Sequence, residues 1–276
     1  MCYLKTHYPL YFYKALLNYN MGSEIKTKEY LECIKKLGIK INKPDINLSN
    51  DKYQVINNTL LLPFNIIKNI GSNVSDIIYG VREKGFDDYF DFIKKVNVNS
   101  IGKKTIELLI LAGCCDSFKL NRRTMIENLK DAIIYSELSS GIDDSLVSVP
   151  NIKEYDEFNN NELISKEKEL YGFYLSDHPI SKYNNRIKLI DLNKYFDKFI
   201  KSYVLVESIH KIKTKKSEDM AFINCSDETS IEDFIVFPNK INLINDIDIN
   251  DIILVSGKVE KRYDKYQIIV NNIEKV

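Results

Sequence analysis

The chain holds 276 residues, 44% hydrophobic and 28% charged, with 39 basic and 39 acidic side chains that cancel. This is the composition of a globular protein longer than one typical domain. No run of about 18 apolar residues is available to cross a membrane, and no apolar core of signal-peptide length follows Met1, so a cytoplasmic protein without a membrane partner is expected.

The five cysteines, Cys2, Cys33, Cys114, Cys115 and Cys225, lack metal-ligand spacing and read as reduced thiols. The cancelling charge is unevenly spread. Residues 1–140 carry 20 basic against 15 acidic side chains, while 141–200 and 201–276 are net −3 and −2. The first stretch is therefore the one suited to a polyanion. It opens with apolar residues at helical spacing over 8–20 (Tyr8, Phe12, Leu16, Tyr19), stopped by Met21-Gly22-Ser23. A second helix over 26–37 carries Tyr30, Leu31, Ile34 and Leu37 and stops at Gly38. Residues 39–45 read as extended, and segments 53–56 and 59–62 flank Asn57-Asn58, a pair suited to a tight hairpin turn.

The rest of the helical region is arranged around the stretch 62–82. Pro63 suits the first position of a short helix, with Phe64, Ile67 and Ile70 at helical spacing. Asn69-Ile70-Gly71 breaks it, since Asn and Gly tolerate positive φ. Ser72 or Asn73 then caps a second helix with Val74, Ile77, Ile78 and Val81 on one face. The pattern is a helix-hairpin-helix, although Asn69 stands where such hairpins usually carry a first Gly. The backbone N–H groups of Gly71, Ser72 and Asn73, at the positive end of a helix, suit a phosphate oxygen. Such a hairpin grips a duplex backbone without reading bases, and Lys68, Arg82 and Lys84 supply counter-charge; the competing reading is an ordinary αα-corner with a polar turn.

A helix over 87–96 (Tyr89, Phe90, Ile93, Val96) precedes a second such turn, Ile101-Gly102-Lys103-Lys104, and a strongly apolar helix to Ala112. Lysines in a first turn oppose the helix dipole unless a phosphate sits there; the competing reading is a solvated charged turn. One more helix spans 121–138, with Arg122 and Arg123 near its start. Residues 141–163 hold six acidic residues against one Lys, without period, and read as an exposed linker. A short helix over 167–175 stops at Asp177-His178-Pro179, and 187–200 is a connector.

From Tyr203 the period becomes two. Strands are expected at 203–212, 220–226, 230–237, 251–261 and 266–274, with a short helix over 238–247. Five strands with a helix between the third and fourth is the order of an OB-fold barrel. Its flanking loops here are Lys213-Thr214-Lys215-Lys216-Ser217 and Lys261-Arg262-Tyr263-Asp264-Lys265, both basic, and Tyr263 suits base stacking. The competing reading is a barrel used for docking protein, in keeping with its net negative charge. His7, His178 and His210 are scattered, so no metal site is expected, and His178 before a proline reads as a turn or capping residue. Asp246-Ile247-Asp248 has the spacing of paired metal-binding carboxylates but lies beside the barrel's helix and reads as solvated surface. No nucleophile–base pair, phosphate loop or dinucleotide fingerprint occurs.

Several phrases together resemble one family. They are Tyr3-Leu4-Lys5-Thr6-His7-Tyr8-Pro9, Gly38-Ile39-Lys40 leading to Pro44-Asp45-Ile46-Asn47, Ile67-Lys68-Asn69-Ile70-Gly71, Leu109-Ile110-Leu111-Ala112-Gly113, and Lys168-Glu169-Leu170-Tyr171-Gly172-Phe173-Tyr174-Leu175-Ser176-Asp177-His178-Pro179. In this order the chain resembles the C-terminal portion of the bacterial replicative polymerase III alpha subunits. The resemblance implies an α+β multidomain protein: 1–56 the end of a fingers-like helical domain, 57–140 the helix-hairpin-helix region, 141–200 acidic linker and connector helices, and 201–276 the OB-fold domain. The family's palm and phosphoesterase-like domain would precede residue 1. The chain thus reads as a fragment, a split-gene product or a truncated product, with no catalytic residues and no polymerase activity of its own, any Mg²⁺ belonging to the palm.

The implied partners are double-stranded and single-stranded DNA, a sliding clamp and other replisome subunits. Lys68, Asn69, Ile70, Gly71, Ser72, Asn73, Arg82, Gly102, Lys103 and Lys104 are the expected duplex contacts. Lys213, Lys215, Lys216, Lys261, Arg262 and Tyr263 are the expected single-strand contacts. The family docks on the clamp with a Gln-initiated peptide; the corresponding stretch here, Ile142-Asp143-Asp144-Ser145-Leu146-Val147, lacks the Gln and offers Leu146 and Val147, or is an acidic spacer. The alternative function is a non-catalytic interaction scaffold, or a non-polymerase nucleic-acid binder built of the same modules.

Overall fold

The computed structural model describes residues 2–96, 98–139, 147–176, 178–184, 186–214, 216–263 and 265–276. The chain forms two compact units, Met1–Leu175 and Ser176–Val276.

The first unit opens with α1 (Cys2–His7), α2 (Pro9–Tyr19) and α3 (Glu24–Lys36). Pro9 begins α2, where its missing N–H is no loss. The Ser23 hydroxyl accepts the Lys26 N–H and caps α3. A three-stranded sheet comes next, β1 (Ile41–Asn42), β2 (Gln54–Ile56) and β3 (Thr59–Leu61), in the order β1-β3-β2. Asn57 and Asn58, at φ 48° and 59°, close the β2–β3 hairpin as their residue types suggest.

Seven further α-helices follow among the described residues: α4 (Ser72–Arg82), α5 (Tyr89–Val96), α6 (Val98–Ile101), α7 (Lys103–Leu111), α8 (Arg122–Glu127), α9 (Leu129–Ser139) and α10 (Asn160–Tyr171). One apolar core runs through all of this, from Leu10 and Ile34 through Phe64, Ile78, Phe92 and Leu109 to Leu170. Several of its buried polar groups are paired, as burial favours, although Ser75 Oγ has no partner among the described residues. The Tyr89 hydroxyl donates to Met125 O at 2.7 Å and the Tyr171 hydroxyl to Ala112 O at 2.8 Å. The Arg122 guanidinium reaches both Asp116 oxygens, at 2.9 and 2.6 Å, and Leu111 O.

Three local expectations are corrected. The single helix over 121–138 is two, parted at Asn128, whose carboxamide turns to bond the N–H and carbonyl of Lys153. The described part of the acidic linker is correspondingly tied down. Asn121 and Thr124 hold the Tyr155 backbone, and the Glu157 carboxylate accepts the N–H groups of Arg122 and Arg123. Burial raises the Glu157 pKa, but the backbone donors outweigh it and the net direction is down. The helix expected over 167–175 starts earlier, at Asn160, behind a capping box of Asn159 and Glu162.

The second unit is a closed barrel of β4 (Phe199–Lys213), β5 (Asp219–Ser226), β6 (Ile231–Val236), β7 (Ile252–Arg262) and β8 (Lys265–Lys275), in the order β4-β5-β6-β8-β7. The β6–β8 pair is parallel and the rest antiparallel, with a 3₁₀ helix, Pro238–Ile244, between β6 and β7. This is OB-fold topology. Val204, Val206, Ile223, Phe234, Val255 and Ile268 fill the interior.

The preceding segment is part of this unit. Leu189 and Leu192 join the barrel core, the Tyr183 and Tyr203 rings stack 4.4 Å apart, and Arg186 meets Glu228 at 2.5 Å. Asp227, almost fully buried, accepts N–H groups from Leu189, Thr229 and Ser230, fixing the β5–β6 turn to this segment.

Candidate nucleic-acid interface

The first hairpin differs from expectation in its first half. Residues 64–66 form one 3₁₀ turn, not a helix, and Pro63 is its N-cap. Phe64, Ile67 and Ile70 are nonetheless all buried. The positive φ falls on Asn69, at 66°. Gly71 has φ −86°, open to any residue, and is itself the N-cap, so Ser72 begins α4 and caps nothing. Gly71, Ser72 and Asn73 are exposed, and the first-turn N–H groups point out of the helix end.

The flanking cations differ in their availability. Lys68 lies 3.9 Å from Glu24. Arg82 is turned inward: its Nη1 donates to Ser49 O at 2.7 Å and Ile46 O at 3.3 Å, and its Nη2 to Asn50 Oδ1 at 2.8 Å. Its guanidinium is engaged in holding the loop before β2. Replacing Arg82 with Ala is expected to lower stability by about 2 kcal/mol, the scale of charged hydrogen bonds, while leaving the salt slope of duplex binding unchanged. Urea unfolding beside a salt titration measures both.

The second turn repeats the first in outline. Ile101 is buried, as Ile70 is, and an exposed glycine caps the next helix. Here the backbone is more demanding. Gly102 has φ 70° and ψ 151°, a region essentially restricted to glycine, and open space lies around it. Lys103 and Lys104 are exposed in the first turn of α7, with Lys103 3.7 Å from Glu107.

On the barrel, the two basic loops flank one face from opposite ends. Lys213 pairs with Asp219, and β5 meets the far end of β6 through Ala221 and Val236. Arg262 pairs with Lys265, and β8 meets β6 near its start through Asp233 and Gln267. Lys213 and Lys216 are exposed and in no ion pair among the described residues. Lys215 and Leu146 lie outside the described residues. Val147 packs against the core of the first unit. Tyr263 sits at the tip of the β7–β8 turn, 88% exposed and at φ 55°. The Arg262 guanidinium lies 5.8 Å from its ring, and Lys261 lies over Tyr266. An aromatic residue held at positive φ is uncommon, and such outliers gather at functional sites.

Between the loops, the outward positions of β4 to β6 carry residues that loop charge alone does not reveal. His210 pairs with Phe222, Ser208 with Asn224, and Asn224 with Asp233. The Ser208 hydroxyl donates to Asn224 Oδ1 at 2.7 Å, and Asn224 Nδ2 donates to Asp233. Strand alternation was the available signal: Ala221, Ile223 and Cys225 face in, so Phe222 and Asn224 face out.

His178 caps a 3₁₀ turn, Pro179–Lys182, its Nδ1 accepting the Ile180 N–H. Nε2 then carries the proton and donates to Ser226 Oγ at 3.1 Å, and that hydroxyl donates to Glu207 at 2.5 Å. The order is the reverse of a nucleophilic triad, since the imidazole donates a hydrogen bond to the serine and accepts none from it. Asp246 and Asp248 are both exposed, in a turn after the 3₁₀ helix. The thiols of Cys114, Cys115 and Cys225 are buried, and burial pushes each pKa up.

Two family models match. One, a helix-hairpin-helix motif, covers residues 38–125, and the other, an OB-fold nucleic acid binding domain, covers 205–276. DNA polymerase III subunit alpha of Bacillus subtilis (strain 168) is 33% identical over 290 aligned residues, covering 99% of this chain and 26% of that protein. The subunit of the same name from Staphylococcus aureus (strain Mu50 / ATCC 700699) is 32% identical over 287, with coverage of 99% and 26%. The chain spans about a quarter of the length of the curated relatives it matches.

Proposed function

We propose, from a chain related along nearly all its length to a portion of the DNA polymerase III alpha subunit, that it holds DNA during replication. Duplex DNA is held by phosphate contacts at the starts of α4 and α7. A single strand is held on the outer barrel face between the two basic loops. The observation that carries the reading is the repeated turn, a buried isoleucine and an exposed glycine before a helix whose first N–H groups face solvent. At the second turn Lys103 and Lys104 stand against the helix dipole, a conflict that a bound phosphate relieves.

A salt titration of the full chain on duplex and single-stranded DNA tests the reading. Affinity should fall steeply and log-linearly with salt. Absence of binding to either form at low salt would return the chain to the scaffold alternative. For the barrel, reversing the charge of Lys213, Lys216, Lys261 and Arg262 together should weaken single-strand binding and flatten its salt slope by about 3. Tyr263→Ala should cost about 1–3 kcal/mol through removal of the base stack. Duplex affinity should stay at the parent value in both; a parallel loss on duplex would remove the single strand from the barrel.

Docking to a sliding clamp through Leu146 and Val147 belongs to the same proposal. Val147 must leave the apolar surface it covers, so the contact is expected to be weak on its own and to gain from DNA held nearby. Calorimetry of the chain against the clamp should show binding that Leu146→Ala with Val147→Ala removes. Binding equal to the parent would place the contact elsewhere.

A further inference from the structure

Beside the β7–β8 turn, the outer face of the barrel runs into a pocket of about 470 Å³, a size at which proteins hold small ligands. Its apolar wall is Leu192, Ile231 and the ring of Tyr266; its polar side is Asn193, Asn224, Asp233 and Lys265. Asn224 is oriented at both ends, accepting from Ser208 and donating to Asp233 Oδ1. The Asp233 carboxylate keeps acceptor capacity beyond that one bond. Lys265 is exposed at the base of the turn, two residues before the Gln267 that pairs with Asp233. Glu232 also lines the pocket; burial pushes its carboxyl up, against the pull of its Ser230 bond. A strand crossing the face from the 213–218 loop arrives here at its far end.

We infer that this pocket takes one unstacked nucleobase bearing an exocyclic amine, from the single strand that the barrel is proposed to hold, and the inference rests on that reading. An aromatic ring and two aliphatic side chains suit the flat faces of a base. Its edge meets a carboxylate beside an ammonium. Cytosine matches this pair, its N4 amine donating to Asp233 while the adjacent N3 accepts from Lys265. In the same seat thymine turns its O4 carbonyl toward the carboxylate, and its N3–H reaches Asp233 only if the ring slides along the pocket, away from the apolar wall that seats cytosine. A site built to accept a hydrogen bond at one fixed position discriminates against the base whose donor stands elsewhere.

The test is fluorescence anisotropy of the full chain with labelled oligo-dC and oligo-dT of about twelve nucleotides, within the span of an OB fold. The expected result is oligo-dC binding about tenfold tighter, the scale of one charged hydrogen bond, with the preference gone in Asp233→Asn. Ile231→Trp fills the pocket from a half-exposed rim position and should also weaken oligo-dC to the level of oligo-dT, giving a second variant should Asp233→Asn fail to fold. Equal parent affinities, or a preference that survives in a folded variant, would overturn the pocket while leaving the barrel a single-strand binder. No binding to either oligonucleotide would overturn both readings.

Discussion

Gly257→Ala should cost the barrel about 3 kcal/mol or more, at the upper end of what overpacking does to a filled core. A Cβ at residue 257 would lie 2.4 Å from Ile269 O and 2.5 Å from Ile268 Cγ2. The register of β7 against β8 shifts between Ser256 and Gly257, where β8 carries one extra residue, Asn271, and such a bulge bends its strand. Neither atom has room to yield. Ile269 is held from the other side by its pairing with Ile235 of β6, and Ile268 is fully buried in the barrel. Making space for one methyl therefore means parting β8 from β6 or from β7. For a unit of this size the thermal midpoint should fall by about 15 °C, and single-strand binding should disappear with the barrel's closure. Scanning calorimetry checks this, with Gly80→Ala as control. Gly80 lies in α4 with open space where its Cβ would go, so that change should be neutral or mildly stabilising. A Gly257→Ala midpoint equal to the parent's would mean that the two strands have slack.

The barrel was the most legible part of the chain because each of its strands has one buried face. Alternation in 251–261 and 266–274 reports that burial directly, and the observed strands differ from those limits by a residue or so. The helices α4 and α7 were legible for the same reason at the helical period. What the sequence hid lies in contacts made from elsewhere. The first half of the hairpin has the apolar spacing of a helix, but only residues 64–66 turn, and the Lys68 N–H bonds Leu170 O on α10. The segment 147–159 has no period because Asn121, Thr124 and Asn128 hold it from α8 and its ends. Its closing capping box, Asn159 with Glu162, stood in plain view inside an acidic run. Arg82 counted as surface charge until the carbonyls of Ile46 and Ser49 claimed it. Asp233 reads from sequence as one more acid; only its register opposite Asn224 puts it on the outer face.

At the second hairpin the expected effect is on DNA. Lys103→Glu with Lys104→Glu should weaken duplex binding about a hundredfold at low salt and reduce the salt slope by about 2, one for each phosphate no longer neutralised. Both side chains are exposed in the first turn of α7. Glutamates there favour the helix dipole, so the fold should be as stable as the parent or slightly more so, and the weakening then reports on the DNA backbone rather than on folding. The two glycines separate geometry from access. Gly102→Val forces a β-branched residue to φ 70° and should distort the turn itself. Gly71→Val meets no such strain, since φ there is −86°. The nearest obstacle to its Cβ is Asn73 Oδ1 at 2.8 Å, the tip of an exposed side chain that can rotate away. Its effect should come only from a side chain standing where a phosphate would approach. The expected order of duplex affinity is therefore parent, then Gly71→Val, then Gly102→Val, with the double glutamate variant weakest and all sequences affected alike. Duplex binding by the double glutamate variant at the parent's affinity and salt slope would make the turn a structural corner and place the duplex on another surface.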